Sequence, residues 1–265
     1  MPDSVSRRPA DQAESVRASR SWWDAEAADY YQEHGPLLRD ADLMWGPEGI
    51  YESDLGLLGD LAGRDVLEFG AGAAQGSRWC AAQGARVVAS DVSGAMLRQG
   101  TALDAGRDTR PAGYVECDAA ALPFAGASFD VVFSAYGALP FVADSAGLLR
   151  EVARVLRPGG RTVFSVTHPF RWALPDAPGP EGLRVSHSYF DRSPYVEQDA
   201  AGRALYVEHH RTVGDRVREM VGAGLVLEDL LEPEWPAAAE HVWGGWSPLR
   251  GRLVPGTAIF SARRP

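Results

Sequence analysis

Three features of the sequence point to a doubly wound α/β sheet. Five short apolar runs, "DVLEFG", "ARVVASD", "AGYVECD", "FDVVFSAY" and "GRTVFSVTH", follow one another between Asp65 and His168, with helical segments between most of them. Strands alternating with helices pair in parallel through right-handed crossovers. The first run empties into a glycine-rich turn, "GAGAAQG", Gly70 to Gly76, at the kind of strand end where open α/β sheets bind ligands. Finally, 265 residues with 45% apolar and 23% charged content suffice for one large domain and a sizeable core.

Residues 1–20 are polar and rich in Ser, Arg, Ala and Asp, the composition of a disordered tail. Residues 21–62 read as a helical cap. Ser21 can cap a helix with Asp24 three positions on, Trp22, Trp23, Tyr30 and Tyr31 recur at near-helical spacing, and Gly35-Pro36 ends it. Ile50 to Leu61 is a second short helix. The core runs from 63 to 168. Within it "AAQGSRWCAAQ" is helical up to Gly84, Ser93 caps "GAMLRQGTALDAG", and the amphipathic "DSAGLLREVARVL" stops at Pro158-Gly159-Gly160. Residues 169–211 are an insertion, a Pro/Gly-rich loop followed by "LRVSHSYF" and "ALYVEHH", which pair as a hairpin outside the main sheet. Residues 212–265 return to the core with a helix from Thr212 to Gly224 and two late strands, "LVLEDLLEP" and "GTAIFSARR", joined by a Trp-rich stretch. The cap and the insertion are both expected over the carboxyl edge of the sheet.

Composition excludes several classes. The net charge of −10 comes without any basic stripe, which argues against a nucleic-acid partner, since such binding neutralises phosphates. Cys80 and Cys117 read as free thiols in a reducing compartment. The first twenty residues lack the apolar core of a signal peptide, and no run approaches about 18 apolar residues. No membrane partner and a cytoplasmic location are expected. His209-His210 lacks a third ligand, so no metal site is assigned.

The glycine turn narrows the chemistry. Gly70 and Gly72 let the chain turn sharply and bring backbone N–H groups to a ligand at the positive end of the following helix. The spacing is G-x-G-x-x-x-G rather than the GxGxxG of dinucleotide folds. Glu68 precedes the first glycine by two residues; facing phosphates it would repel them, whereas facing an ammonium it would attract. Asp91 ends the second strand, where a carboxylate can accept from vicinal ribose hydroxyls or simply cap the next helix. Asp118 follows the third strand, where it can accept from an exocyclic amine such as adenine's or serve as a turn residue. The N–H of Ala119 is positioned for a ring nitrogen.

With these residues in place the sequence resembles the class I S-adenosylmethionine-dependent methyltransferases. "VLEFGAGAAQG" is similar to their first motif, "VVASDVSGAML" to the second, "VECDAAALPFAGASFDVVFSAYGALPFV" to the third and fourth, and "LLREVARVLRPGGRTVFSVTHP" to the helix, turn and fifth strand of the small-molecule type. The resemblance implies a seven-stranded Rossmann-like sheet of order 3-2-1-4-5-7-6 with strand seven antiparallel. It implies S-adenosyl-L-methionine as cofactor, held by Glu68, Gly70, Ala71, Gly72, Asp91, Val92, Met96, Asp118, Ala119 and Ala120, with the carbonyls near Ser134 or Ala135 accepting from its ammonium. Tyr30 and Trp45 are expected at its methionine end, or as simple packing of the cap. The absence of a DPPY-like motif, with "SAYGALPF" in its place, argues against exocyclic amines of nucleic-acid bases.

A small-molecule acceptor is therefore expected, with the chain a monomer or homodimer. A neutral oxygen or carbon acceptor must lose a proton. His168, at the end of strand five, is the candidate base, with a loop-anchoring role as the other reading. The aromatics Trp172, Tyr189, Phe190, Tyr195, Trp243 and Trp246 either line the acceptor pocket or anchor the cap. A nicotinamide-dependent oxidoreductase and a non-catalytic cofactor-binding protein are the alternatives.

Overall fold

A computed structural model describes residues 4–265. The first elements are strand β1 (Ser4–Arg7), helix α1 (Gln12–Leu38) and a single helical turn, α2 (Glu52–Leu55). The central alternation follows: β2 (Asp65–Phe69), α3 (Gln75–Ala82), β3 (Arg86–Asp91), α4 (Gly94–Leu103), β4 (Gly113–Glu116), β5 (Phe129–Ala135), α5 (Ser145–Val155) and β6 (Leu156–Thr167). The chain closes with β7 (Tyr195–Gln198), β8 (Ala204–Glu208), α6 (Val213–Gly222), β9 (Val226–Leu231), α7 (Pro248–Gly251) and β10 (Thr257–Arg263).

Seven strands form one sheet of order β4-β3-β2-β5-β6-β10-β9. The β2, β3, β4, β5 and β6 pairs are parallel, and β10 runs antiparallel to both its neighbours. This is the expected seven-stranded doubly wound order. The reason lies in the strand residues. Leu67, Phe69, Val132, Phe164, Val166 and Phe260 pack on one face with α5 and α6. Their alternates Val66, Val131, Phe133, Val163 and Ile259 pack on the other with Leu43, Trp45, Leu61 and Cys80. Both faces are covered, so the strands are apolar almost throughout, as in parallel sheets. The Pro158-Gly159-Gly160 turn lies inside the first part of β6, where a register shift against β5 absorbs it. Cys80 and Cys117 are not paired.

The N-terminal region differs from expectation. Residues 4–20 are not a disordered tail. β1 pairs antiparallel with β7, and α1 begins at Gln12, with Asp11 as its cap accepting from the Glu14 N–H. Long-range bonds fix this segment. The Arg8 guanidinium grips Glu14 at 3.0 and 2.7 Å, Gln12 Nε2 donates to both oxygens of Asp118 at 3.2 and 3.0 Å, and the Ser15 hydroxyl meets His209 Nε2 at 2.8 Å. Ser21 is therefore mid-helix, and α1 runs past Gly35-Pro36 to Leu38. Asp24, expected in the first turn of that helix, instead accepts from Ser93 Oγ and the Ala95 N–H at 2.7 and 2.9 Å and so caps α4. The span Ile50–Leu61 keeps only the turn of α2.

The insertion also pairs differently. "LRVSHSYF" contributes no strand; β8 pairs with β7 instead, and β1 completes a separate three-stranded sheet of order β1-β7-β8. One face of it, Val196 and Val207, packs on Ala18 of α1.

His209, where β8 joins this layer to α1, makes stability pH-dependent. Burial, then Arg211 and Arg216, push its pKa down to about 4, against about 6.5 in an unfolded chain. The unfolded chain thus binds more protons between those values. Stability should fall as pH drops from about 6.5 toward 4, by up to about 3 kcal/mol. Urea titrations at pH 7 and 5 check this: the loss should be smaller in His209→Gln, and an identical loss in both chains would contradict it.

Candidate active site

A cavity opens at the carboxyl ends of β2, β3 and β5. It is lined by Glu68, Gly70, Ala71, Gly72, Asp91, Val92, Met96, Asp118, Ala119 and Ala135, with Tyr30 from α1. Eleven of the residues proposed from sequence are thus brought together. Three are not. Trp45 is fully buried in the core, its ring packed on Phe133 and its indole N–H donating to Glu52 Oε2 at 2.9 Å. Ser134 is buried in β5 with its hydroxyl unpartnered. Ala120 donates its N–H to Asp118 Oδ1 at 2.9 Å and does not line the cavity.

The glycine turn is built by close approach. A Cβ on Gly70, whose φ is +64°, would lie 2.5 Å from the Ala138 nitrogen, and one on Gly137 would lie 2.3 Å from the Gly70 oxygen. The loops after β2 and β5 touch through these two glycines. Gly72 has φ +53° but open space around it, because there the turn faces the cavity. Gly70→Ala should accordingly abolish cofactor binding, whereas Gly72→Ala should keep the fold at a cost of about 1 kcal/mol for the left-handed backbone. Thermal melts with calorimetry separate the two; equal behaviour would contradict the assignment.

Gly76 has a different reason. It opens α3 directly over Glu68, and a Cβ there would lie 2.7 Å from Glu68 Oε1 and 3.2 Å from the Phe133 ring. Glu68 lies on the sheet face beneath α3, 4% exposed, and accepts from Ser77 Oγ at 2.5 Å. Burial, only partly offset by the Ser77 bonds, raises its pKa to about 7. Among the described residues no cation lies within ion-pair distance of it. A buried carboxylate without a counter-ion is costly, and an ammonium at the cavity floor would relieve it.

Asp91 holds the turn from the side. Its Oδ2 accepts from the Gly72 N–H and its Oδ1 from the Ser93 N–H, both at 2.8 Å. It therefore caps the turn toward α4, as one reading supposed, and each oxygen still has a lone pair for a ribose hydroxyl. Burial raises its pKa, against those backbone donors. Asp118 is anchored by Gln12, whose Oε1 also accepts from the Ala143 N–H at 3.0 Å.

Sequence reasoning missed several lining residues. Val16, Ser19, Trp23, Tyr31 and Leu38 come from α1 at intervals that keep to one side of a helix. Tyr136 has φ +59°, uncommon outside glycine, and its hydroxyl donates to the Gly256 oxygen at 3.1 Å. Only the helical spacing of the α1 aromatics was visible beforehand.

His168 is not in the cavity. Its Nδ1 accepts from the Phe170 N–H at 3.1 Å, which leaves Nε2 to donate to Glu232 Oε1 at 2.7 Å. Both nitrogens are occupied, so the ring anchors the loop after β6 rather than serving as a base. Burial lowers its pKa, partly offset by Glu232. His210 donates from Nε2 to the Tyr189 oxygen at 2.7 Å. Among the described residues no group of three or more His, Cys, Asp and Glu side chains could hold a metal ion.

A second, wider hollow of about 590 Å³ adjoins the first. Trp23 and Tyr136 line both. Its other walls include Trp22, Trp172, Trp243 and Trp246, and Tyr195, Glu197, Tyr206 and Glu208 of the small sheet. Of the six aromatics considered for the acceptor pocket, Trp172 and Tyr195 of the insertion and Trp243 and Trp246 of the Trp-rich stretch thus face this trough. Tyr189 and Phe190 do not line it: the Tyr189 hydroxyl accepts from the Val213 N–H at 2.9 Å, and Phe190 is 71% exposed.

Known proteins agree with this architecture. A family described as "Methyltransferase domain" matches residues 67–164. A demethylmenaquinone methyltransferase of Mycolicibacterium paratuberculosis (strain ATCC BAA-968 / K-10) is 35% identical over 250 residues, 92% of this chain and 93% of that protein. A malonyl-[acyl-carrier protein] O-methyltransferase of Pseudescherichia vulneris is 36% identical over 140 residues, 52% of this chain and 49% of that one. Other demethylmenaquinone methyltransferases match over 41% and 56% of their length, so the chain spans about half the length of most curated relatives it matches. The structure of an S-adenosylmethionine-dependent methyltransferase from Mesorhizobium loti superposes with TM-score 0.63 at 30% identity, covering 80% of this chain and 96% of that one. By sequence over 92% of its length, by strand order and by the glycine turn with its two carboxylates, the chain belongs to the class I S-adenosylmethionine-dependent methyltransferases.

Proposed function

We propose that this chain transfers a methyl group from S-adenosylmethionine to a small-molecule acceptor. The observation that carries this reading is the pair of hollows that share Trp23 and Tyr136 as a common wall. One has the carboxylates suited to an adenosyl amino acid, and the other is a separate aromatic chamber.

The residues fit the cofactor. Glu68 at the floor would face its ammonium, the Gly70–Gly72 turn would follow its amino-acid end, Asp91 would accept from its ribose, and Asp118 with the Ala119 N–H would meet its base. When bound, it supplies a sulfonium methyl group that needs no activation. What remains for the protein is alignment and exclusion of water. α1 does the second by lying across the cavity, tied to Asp118, His209 and Val92 through Gln12, Ser15 and Arg20. No residue at the common wall is poised as a strong base, so the acceptor atom is expected to be nucleophilic on its own.

A small-molecule acceptor is favoured over nucleic acid by the net charge of −10 and by relatives named for demethylmenaquinone and malonyl-[acyl-carrier protein]. No described helix is long and apolar enough to cross a membrane. The test is incubation with methyl-labelled S-adenosylmethionine and a cell extract divided into metabolite, protein and RNA fractions. Label in the metabolite fraction is expected; label confined to RNA or protein would overturn the acceptor class.

A further inference from the structure

The small sheet turns one face to the trough, and that face has an unusual hydrogen-bonding balance. In the β7–β8 register Tyr195 stands opposite Glu208 and Glu197 opposite Tyr206, so two tyrosines and two glutamates form a checkerboard on one side. The Tyr195 hydroxyl donates to Glu197 Oε1 at 2.8 Å, and the Tyr206 hydroxyl to Glu208 Oε1 at 2.9 Å. Both hydroxyl protons are thereby used. What stays open is one oxygen of each carboxylate and the tyrosine lone pairs, all acceptors.

No basic side chain among the described residues lies within ion-pair distance of Glu197 or Glu208. Two guanidiniums, Arg7 and Arg171, also line the trough, and the charge of Arg171 acts on Glu208 from beyond ion-pair distance. Arg7 and Arg171 lie over the Trp172 ring at 5.3 and 5.2 Å, and Arg171 pairs with Asp176 at 2.7 Å. The ring of Trp22 packs on Tyr206 with centroids 5.1 Å apart. An acceptor-only, anionic surface framed by aromatic faces suits a group that only donates and carries positive charge. A ligand carboxylate or phosphate finds no donor on the checkerboard itself, and the two arginines of the trough lie instead against Trp172 and, for Arg171, Asp176.

We propose that the trough is the acceptor site and that its occupant is a ring-bearing small molecule with an amine protonated at neutral pH. The ammonium sits against Glu197 and Glu208, and the rest of the molecule extends toward Trp23 and Tyr136. This rests on the methyltransferase reading above and adds the charge class of the acceptor to it.

The test is calorimetry at pH 7 on the full chain saturated with S-adenosylhomocysteine, with three probes: 2-phenylethylamine, 2-phenylethanol and 3-phenylpropionate. The amine should bind at least tenfold more tightly than the other two. That preference should shrink in Glu197→Gln and vanish in the Glu197→Gln/Glu208→Gln variant. Retained binding of S-adenosylhomocysteine shows that each variant is folded. Equal binding of the three probes, tighter binding of the alcohol or acid, binding of none, or a preference that survives both substitutions would overturn the proposal. Failure of the unmodified chain to bind S-adenosylhomocysteine would instead sink the methyltransferase reading itself.

Discussion

Glu68→Gln is expected to stabilise the unliganded protein at pH 8 by roughly 2–3 kcal/mol while weakening its affinity for S-adenosylhomocysteine. The carboxyl group is buried beneath α3, and burial raises its pKa to about 7. A folded pKa above the unfolded value, about 4.3, means that the folded chain holds the proton more tightly. The associated stability is complete below about pH 4.3 and is lost as pH rises through 7. Gln does not titrate and can still accept from Ser77 Oγ. The difference between the two chains should therefore grow between about pH 4.5 and 7 and level off above. Urea titrations at pH 5 and 8 measure it. Ligand binding should show the reverse trade. An ammonium near Glu68 favours the carboxylate, so the affinity of the unmodified chain for S-adenosylhomocysteine should rise from pH 6 to pH 8, and the variant should lose most of that rise. A variant with unchanged affinity and unchanged pH slope would remove Glu68 from the site.

Asp91→Ala should cost about 1–3 kcal/mol in cofactor affinity, the scale for loss of a charge-assisted hydrogen bond. Here two effects combine. The ribose hydroxyls lose their acceptor, and the Gly72 and Ser93 N–H groups lose theirs, so the turn itself loosens. Asp91→Asn separates the contributions. It keeps one oxygen for a backbone donor but has no charge, and its amide cannot accept at both positions. Calorimetry with S-adenosylhomocysteine should rank the affinities unmodified chain, then Asn, then Ala. Thermal melts should show Ala losing more stability than Asn. A folded Ala variant with unchanged affinity would refute the role of Asp91.

Most of the core and the cofactor cavity was legible because their signals are local. Gly70, Gly72 and Gly76 sit within one turn of the strand whose end they shape, and Asp91 closes a strand of its own. The regions whose structure departs from the local sequence signal depend on distant partners. Residues 4–20 carry almost no apolar stripe, and their order comes from Asp118, His209 and β7, each more than a hundred residues away. "SPYVEQ" becomes a strand because β1 and β8 flank it, whereas "LRVSHSYF" has the better β composition and no partner. His168 stands at the right end of β6, but its Nε2 is bound to Glu232, 64 positions on. Trp45 shows the limit of residue type as evidence: an indole at a predicted lid satisfies its N–H on Glu52 and fills the core. Tyr136 was invisible because nothing in "SAYGAL" announces a left-handed tyrosine; the close approach of Gly70 and Gly137 imposes it.

The cavity over the glycine turn is expected to hold S-adenosylmethionine rather than a dinucleotide. Titration calorimetry of the full chain with S-adenosylhomocysteine and, separately, with NAD distinguishes the two. Saturable binding of S-adenosylhomocysteine at one site per chain, with no heat from NAD, is the predicted result; binding of NAD without binding of S-adenosylhomocysteine would contradict it.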